Sequence, residues 1–296
     1  MGVSSHPDQT DTFLAVRPRL FAVAYRMLGT VSDAEDILQE AFLRWQSAPV
    51  SEIRDATGYL VRITTRLCLD QLKSARARRE TYPGEWLPEP LLTEESTERL
   101  DHDVSVALLL ALERLTPLER AAFLLHDVFD SSYEEVAAAL GRSIGTCRQL
   151  AARARRNVQQ ARPRAPVPAE EGQEITLAFF HAAKTGDTGS LARLLSKDVR
   201  LISDGGGKVM AALNPIKGLD RVVRLLEGIS RKTGAEPPRQ WRHCVLNGLP
   251  AILSREPDGI LQATSVEIRD GLITHIYVTR NPDKTAHLVQ ALPLPE

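Results

Sequence analysis

Two proline-rich breaks limit how this chain can fold. The first, Tyr82–Leu92, contains three prolines, and a proline inside a helix removes an N–H donor and clashes with the preceding turn. The second, Arg162–Pro168, contains three more. At 296 residues the chain is also long for one domain. We therefore predict a disordered tail at 1–10, domains at 11–80, 105–161 and 170–290, and linkers at 81–104 and 162–169.

The first domain is predicted to be helical almost throughout. Apolar residues recur at helical spacing within Ala34–Trp45, opposite an acidic face. Ser32 and Glu35 have the spacing of a capping box, which predicts that this helix starts at Ser32. A further helix is expected from about Thr57 to Arg78, and its predicted core residues are Leu60, Ile63, Leu67 and Leu72.

The second domain carries the signals of a helix-turn-helix. A short helix that Ser132 and Glu135 can cap ends at Gly141. Ser143 can then cap a second helix that runs to about Gln159. A helix, a tight glycine turn and another helix form the layout of the helix-turn-helix motif.

Charge is segregated along the chain, although the formal net charge is only −1. From Arg142 to Arg164 there are seven arginines and no acidic residue. A second basic block begins at Lys73, and the linker that follows it is acidic. Because local charge decides what a surface binds, the basic helix favours nucleic acid. A solvated basic face on a helical bundle is the alternative.

Early positions of the second helix can reach base edges in a major groove. Arginine pairs bidentately with guanine and glutamine with adenine, so Arg148 and Gln149 suit base contacts. The other arginines would lie along phosphates, where they add affinity that depends on salt and not on sequence. The candidate DNA-binding residues are Arg142, Thr146, Arg148, Gln149, Arg153, Arg155 and Arg156.

From about residue 170 the pattern changes to helices followed by short strands. Asp270-Gly271, between two alternating runs, is the strongest hairpin signal in the chain. Helices followed by antiparallel strands predict an α+β domain. The strand-like runs are Val199–Ser203, Trp241–Leu246, Ala251–Arg255, Leu261–Arg269 and Leu272–Thr279.

Composition argues against several other classes of protein. No apolar stretch is long enough to span a bilayer, and the polar first residues do not form a signal peptide. Cys68, Cys147 and Cys244 are widely spaced and odd in number, which indicates reduced thiols and not a zinc site or a disulfide framework. We expect a cytoplasmic protein with no membrane partner, metal or cofactor.

Two blocks of the chain resemble sigma factors of the extracytoplasmic-function (ECF) type. Phe13–Arg26, Ser32–Trp45 (SDAEDILQEAFLRW) and Tyr59–Leu72 (YLVRITTRLCLDQL) are similar to sigma region 2. Leu115–Leu125 and Tyr133–Ala137, with the helix after them, resemble sigma region 4. The resemblance implies a non-enzymatic protein that binds core RNA polymerase at the β′ clamp and β flap. It would direct transcription from promoters with −35 and −10 elements.

The resemblance also implies roles for particular residues. The helix with Asp33, Asp36 and Glu40 would dock on the β′ clamp, whereas physical reasoning alone treats that acidic stripe as a solvated face. The helix-turn-helix would read the −35 element. Arg66 stands where many relatives carry a neutral amide. The next helix of region 2 would face the −10 element, where a base is flipped out, and the candidates there are Arg62, Thr65, Arg66, Lys73 and Arg76.

The C-terminal domain resembles the SnoaL-like branch of the nuclear-transport-factor-like cone fold. Trp86–Pro90, Asp204–Lys208 and Asn281–Lys284 are similar to one group of ECF sigma factors with that extension. The predicted fold is therefore multidomain, with two all-α sigma domains and an α+β SnoaL-like cone. The extension would regulate the sigma domains in cis through Trp86, Leu87, Pro88, Asp204, Gly205, Gly206, Gly207, Lys208, Asn281, Pro282, Asp283 and Lys284.

Two other functions stay open. Cone folds host isomerases and cyclases, so Asp204, His181, His243 or His275 could act as an acid or a base. Alternatively, the cone could sense a ligand while the helix-turn-helix binds an operator, as in a one-component regulator. A pocket in the cone leaves room for a small-molecule ligand, which the sequence does not identify.

Overall fold

The chain divides into two compact units. The structure, a computed structural model, describes residues 9–49, 53–93, 105–159, 167–235, 238 and 240–292, but not the side chains of 74–80 and 159. The helical unit contains Met1–Glu80 and Thr97–Arg162, and the sheet unit contains Thr81–Ser96 and Pro163–Glu296. The predicted tail lies outside the described residues as far as residue 8, and residues 9 and 10 already belong to the first helix.

Three long helices form the first helical block: α1 (Gln9–Leu28), α2 (Val31–Gln46) and α3 (Ala56–Glu80). The predicted apolar stripe of α2 is confirmed, because its members from Ala34 to Trp45 are buried except for the half-buried Phe42. The Trp45 indole N–H donates to the Gln9 carbonyl oxygen at 2.7 Å and so fastens the end of α2 to the start of α1.

Two local predictions in this block are wrong. Helix α2 begins at Val31 with Thr30 as its N-cap residue, and the Thr30 hydroxyl donates to Asp33 at 2.6 Å, so Ser32 and Glu35 form no capping box. In α3, Leu60 and Leu72 are buried as predicted, but Ile63 and Leu67 are only half-buried. Leu60, Thr64, Cys68 and Leu72 are spaced four residues apart and form one buried row along the helix. The small side chains of Thr64 and Cys68 in the middle of this row allow the neighbouring helices to approach closely.

The second helical block contains α4 (Val106–Glu113), α5 (Pro117–Phe123), a π-helical turn (Leu124–Val128), α6 (Tyr133–Leu140) and α7 (Ile144–Gln159). The predicted caps of the helix-turn-helix are confirmed. Ser132 and Glu135 form both hydrogen bonds of a capping box, and Gly141 ends α6 in the left-handed conformation with φ 62° and ψ 42°. The Ser143 hydroxyl oxygen accepts from the Thr146 backbone N–H at 3.2 Å at the start of α7.

The sheet unit is an α+β fold around one sheet with the strand order β2-β1-β6-β5-β4-β3. Neighbouring strands are antiparallel except β1 and β6, which are parallel. Asp270 and Gly271 both have positive φ, 51° and 74°, and join β5 to β6 as the predicted hairpin. The elements are α8 (Ala169–Thr185), α9 (Thr188–Leu194), β1 (Leu195–Asp204), β2 (Ile216–Lys217), α10 (Leu219–Thr233), β3 (Gln240–Leu246), β4 (Leu249–Arg255), β5 (Leu261–Arg269), β6 (Leu272–Thr279), α11 (Pro282–Thr285) and a 3₁₀ helix (Ala286–Ala291).

The two faces of the sheet pack against different parts of the unit. On the helix face, residues such as Val199, Leu201 and Ile276 form a core with α8, α9 and α10. On the opposite face, which we call the linker face, Cys244, Leu253 and their neighbours pack against Leu92 and the C-terminal 3₁₀ helix. Residues 81–93, predicted as part of an interdomain linker, therefore belong to the sheet unit.

Candidate nucleic-acid interface and linker site

Helix α7 presents a basic face to solvent. Its buried residues, Cys147, Ala151, Ala154 and Val158, follow helical spacing and attach one side of the helix to the block. Five of the seven candidates are exposed on the rest of the helix, namely Thr146, Arg148, Gln149, Arg153 and Arg156, and a sixth, Arg142, is exposed in the turn before it. The arrangement supplies donors for base edges near the start of the helix and positive charge along its length.

The seventh candidate, Arg155, is held within the block. Its guanidinium forms an ion pair with Asp127 at 2.6 Å. Arg148 stays exposed, but its guanidinium lies 5.4 Å from the centre of the Tyr133 ring. We therefore interpret Arg155 as a residue that orients α7. Arg148 remains a candidate for base contacts, and the ring of Tyr133 on α6 restrains its guanidinium.

The candidates on the first block differ in accessibility. Asp36 is exposed, Glu40 pairs with Arg44 at 2.7 Å, and Asp33 accepts from Thr30 and Gln71. These three carboxylates lie on α2, where they can face a partner together.

On α3, one candidate disagrees with the prediction. Thr65 is buried, and its hydroxyl donates to the Val61 carbonyl oxygen at 2.8 Å, so it does not face a base in this arrangement. The Arg62 guanidinium lies 5.2 Å from the centre of the Tyr59 ring, and Lys73 pairs with Asp70 at 2.7 Å. Arg66 donates to two carbonyl oxygens at the end of α6. The side chain of Arg76 lies outside the described residues.

The three short motifs of the sheet unit converge on the side chain of Asp204. This carboxylate is buried at the end of β1 and pairs with the Lys284 ammonium at 2.7 Å. It also accepts from the Tyr82 hydroxyl at 2.6 Å and from the Leu87 backbone N–H at 2.9 Å. Burial, together with the hydrogen bond to Asp204, raises the pKa of Tyr82 and keeps it a neutral donor. Both partners from the linker therefore bind one carboxylate.

Lys284 completes the site from the other side. Its ammonium donates to the Leu87 carbonyl oxygen at 2.6 Å. It also lies 4.3 Å from the centre of the Trp86 ring and 4.9 Å from that of Tyr82, a cation–π arrangement with two rings. The Asn281 side-chain N–H donates to the Tyr82 hydroxyl at 2.9 Å. The motif around Lys284 thus recognises both the backbone and the aromatic rings of the linker.

The glycines between Asp204 and Lys208 are required by close contacts. Gly206 and Gly207 have positive φ of 63° and 70°. A Cβ atom on Gly206 would lie 2.3 Å from the Asn281 amide nitrogen, and one on Gly207 would lie 2.5 Å from Pro83. A Cβ atom on Gly205 would lie 2.3 Å from the Val209 carbonyl oxygen. The loop is closed by the exposed ion pair of Lys208 and Asp283 at 2.6 Å.

The remainder of the linker crosses the linker face and pairs with the edge strand β3. Leu91 exchanges two hydrogen bonds with Asn247, at 3.0 Å through the Asn247 side chain and at 2.8 Å through its backbone N–H. Leu92 forms a bridge with Leu246, and the Thr93 N–H donates to the Val245 carbonyl oxygen at 2.9 Å. The linker therefore adds a short antiparallel segment to the sheet.

A histidine binds the middle of the linker. One ring nitrogen of His287 lies 3.0 Å from the Glu89 carboxylate and the other 2.8 Å from the Pro90 carbonyl oxygen. Both partners are acceptors, and an imidazole can donate to two acceptors only when it is protonated. Burial opposes this charge, but the hydrogen bonds to Glu89 and Pro90 outweigh it and raise the pKa of His287.

Sequence reasoning found part of the linker site and missed the rest. All twelve predicted regulatory residues lie in this cluster or beside it, from Trp86–Pro88 to Pro282 and Lys284. Tyr82, Glu89, Asn247 and His287 were missed. A signal existed for Asn247, because Asn-Gly between two alternating runs predicts a tight turn with positive φ, which the structure has at 52°. Within the linker, Leu87 is more deeply buried than Trp86.

The residues proposed for acid or base chemistry are divided between the two faces of the sheet. Trp241 and His243 lie on the helix face, with His181 5.8 Å from Trp241 between ring centres. Asp204 and His275 lie on the linker face, and Asp204 is already paired. Among the described residues no cluster of three or more histidine, cysteine or acidic side chains is placed to hold a metal ion. None of the described helices has the length and apolar character needed to cross a membrane.

Comparison with known proteins defines the class and then the family. Family models described as "Sigma-70 region 2" and "Sigma-70, region 4" match residues 12–78 and 105–158. The chain is 39% identical over 93% of its length to "ECF RNA polymerase sigma factor SigJ" of Mycobacterium tuberculosis, covering 93% of that protein. It is 34% identical over 95% of its length to "Probable ECF RNA polymerase sigma factor SigI" of the same species, covering 96% of it.

A solved structure agrees with these relatives. The crystal structure of Mycobacterium tuberculosis SigJ matches with a TM-score of 0.75 and 36% identity, covering 93% of this chain and 97% of that one. The fold is therefore that of two all-α sigma domains joined to an α+β unit, as in that structure. The chain belongs to the ECF family of RNA polymerase sigma factors and is an alternative sigma factor.

The buried pair of Asp204 and Lys284 makes a prediction about stability. We expect Asp204→Ala to lower the free energy of unfolding of the sheet unit by about 3–5 kcal/mol, because it leaves a buried ammonium without its counter-ion. Lys208→Ala removes an ion pair in the same loop whose side chains are 54% and 62% exposed, and should cost less than about 1 kcal/mol. Urea unfolding of both full-length variants measures the difference, and equal losses would contradict the assignment.

The protonated His287 predicts that the sheet unit weakens as the pH rises. Its pKa is raised in the folded protein, so its contribution is complete below the ordinary histidine value of about 6.5 and is lost as the pH passes the raised value. We expect the difference in melting temperature between wild type and His287→Gln to be larger at pH 6 than at pH 9. Burial lowers the pKa values of His243 and His275. Both histidines are present in the wild type and in the variant, so their contributions cancel in the difference in melting temperature. Parallel pH profiles would rule out the charged His287.

Proposed function

We propose that this sigma factor binds core RNA polymerase through α2 and directs initiation at promoters that its α3 and α7 recognise. The observation that carries the proposal is the exposed basic face of α7, held by a fully capped helix-turn-helix. In the proposal, Arg148, Gln149 and Thr146 contact −35 bases. Arg142, Arg153 and Arg156 lie along phosphates, and Arg155 orients the helix.

We propose for the first block the partners that the family resemblance implies. Asp33, Asp36 and Glu40 meet the β′ clamp, and the second block contacts the β flap. Arg62, Arg66 and Lys73, with Arg76 beyond them, face the −10 element. Thr65 enters that set only if α3 changes its surroundings, because its hydroxyl is buried. We place this activity in the cytoplasm, where the polymerase and the DNA are.

We further propose that the sheet unit regulates the sigma blocks in cis by holding the linker. The linker is the covalent connection between the two blocks, and its residues 82–93 are bound by hydrogen bonds, an ion pair and two rings. While residues 82–93 are bound, they cannot extend, whereas released they could span about 40 Å between the blocks. The sheet unit thus controls how far apart the two blocks can move. We propose no enzymatic role for it, because Asp204 is used in this contact.

Run-off transcription with core polymerase tests the sigma function. We expect promoter-specific transcripts with the wild type and a loss of about five- to 150-fold with Arg148→Ala, because one bidentate base contact contributes about 1–3 kcal/mol. Arg193→Ala, an exposed arginine of α9, is the matched control and should leave transcription unchanged. A chain that binds an operator tightly alone, forms no complex with core enzyme and gives no transcripts would instead be a one-component regulator.

Variants of the linker site test regulation in cis. We expect Trp86→Ala and Asp204→Ala to change the amount of transcript at least threefold while the affinity for core polymerase stays the same, because they alter the hold on the linker and not α2. Lys208→Ala should behave as wild type. If both linker-site variants transcribe as the wild type does, the C-terminal extension is not a regulator.

A further inference from the structure

Tyr133, the first residue of α6, contacts two arginines of α7. The Arg148 guanidinium lies 5.4 Å from the centre of its ring. The pKa of Arg155 is raised, first by its hydrogen bond to Asp127 and then by one to Tyr133. The two arginines are seven residues apart, close to two helical turns, so both side chains leave the same side of α7. One ring thus meets an arginine assigned to a base and an arginine that orients the helix.

The ring of Tyr133 is itself held by a histidine. The His126 ring stacks on it with 3.8 Å between the ring centres. One nitrogen of His126 lies 2.8 Å from the Ser131 carbonyl oxygen, which can only accept, so that nitrogen donates. The Ser131 N–H in turn donates to the Leu125 carbonyl oxygen at 2.8 Å. The position of the ring is therefore fixed by contacts within the second block.

The π-helical turn provides both supports of α6 and α7. His126 and Asp127 are consecutive residues of this turn, Leu124–Val128. His126 holds the ring of α6, and Asp127 accepts from the Arg155 Nε at 2.7 Å. Turns with hydrogen bonds between residues five apart are rare and frequently lie at functional sites. We call His126, Asp127 and Tyr133 the arginine platform.

The direction of Arg148 matters because a base contact demands more of a guanidinium than a phosphate contact does. A bidentate contact to guanine requires the planar guanidinium to lie along one base edge, whereas a phosphate carries no sequence information. An arginine side chain has many rotamers, and fixing one of them costs entropy. The attraction between the Tyr133 ring and the guanidinium restricts Arg148 before DNA binds, so less entropy is lost on binding.

We propose that Tyr133, supported by His126, is a positioning residue that directs Arg148 toward one base pair of the −35 element and so sets the base preference there. Asp127 contributes by orienting α7 through Arg155. The platform acts through the arginines and contacts no base itself. The inference rests on the proposed function, because it uses the assignment of α7 to the −35 element and of Arg148 to a base.

Transcription from altered promoters tests the arginine platform. Full-length variants are added to core polymerase on promoters in which each −35 base pair is substituted in turn. The measured quantity is the ratio of transcript from the original promoter to transcript from each substituted one. Arg148→Ala identifies the base pair that Arg148 reads, because the ratio falls there.

We expect Tyr133→Leu to lower the ratio at that same base pair by about two- to fivefold, the effect of one exposed cation–π contact, and to leave the other ratios unchanged. Tyr133→Phe keeps a ring and should keep the wild-type ratio. His126→Ala leaves the ring without its support and should give a ratio between those of the wild type and Tyr133→Leu. It carries the test if circular dichroism shows that Tyr133→Leu does not fold.

Two further variants separate positioning from a general effect on the helix. Tyr133→Leu added to Arg148→Ala should lower no ratio further, because both changes act through the same guanidinium. Arg153→Ala removes an exposed arginine of the same helix that is assigned to a phosphate. It should weaken transcription from every promoter by a similar factor and reduce the salt dependence, with the ratios unchanged.

Nuclear magnetic resonance of the free full-length protein, with labelled arginine, observes the contact without DNA. The side-chain protons of Arg148 should resonate at higher field in the wild type and in Tyr133→Phe than in Tyr133→Leu, because they lie over an aromatic ring. Equal shifts in all three proteins would overturn the platform.

The transcription ratios distinguish the platform from the function on which it rests. If Arg148→Ala lowers one ratio and Tyr133→Leu lowers none, the platform is wrong and the base contact of Arg148 stands. If Tyr133→Leu lowers all ratios equally, or lowers them further without Arg148, Tyr133 is only structural. If Arg148→Ala changes no ratio, the proposed base contact itself is wrong, and the platform fails with it.

Discussion

The sheet unit depends on the buried ion pair of Asp204 and Lys284, whose side chains are 0% and 7% exposed. Removing two charges from water costs several kcal/mol for each ion unless further hydrogen bonds replace the lost hydration. Here the linker supplies much of that replacement, through the Tyr82 hydroxyl and the backbone of Leu87. The charged pair thus needs polar partners from the protein, because water does not reach its buried position. The linker is a ligand of the sheet unit that the chain itself provides.

The topology explains why stretches so distant in sequence form one site. Strands β1 and β6 are neighbours and run parallel, with Asp204 in register with Thr279. Their carboxyl ends therefore lie at the same edge of the sheet, and the loops that follow them meet there. The glycines of the first loop let Asn281 and Pro83 approach to distances that a Cβ atom would prevent. A parallel pair inside a mostly antiparallel sheet is what places the two loops together.

The sequence could predict what is decided locally. The capping residues and Gly141 of the helix-turn-helix act within a few residues, and Asp270-Gly271 sets its own turn, so all were predicted correctly. Ser32 failed because Thr30 starts the helix two residues earlier and bonds Asp33.

Contacts between distant residues were harder to predict. Resemblance marked the stretches around Trp86, Asp204 and Lys284, but neither spacing nor composition links Tyr82 to Asn281 or Glu89 to His287. The prediction that Thr65 faces a base failed for a related reason. The helices packed on α3, and not hydrophobicity alone, determine which of its residues are buried.

On the proposed assignments, the end of α6 and the promoter DNA compete for the same guanidinium. Arg66 cannot donate to Ala138 and Ala139 and contact the −10 element at once. Such exclusion couples two equilibria, so whatever releases Arg66 from α6 would raise the affinity for promoter DNA, and promoter DNA would favour that release by the same factor.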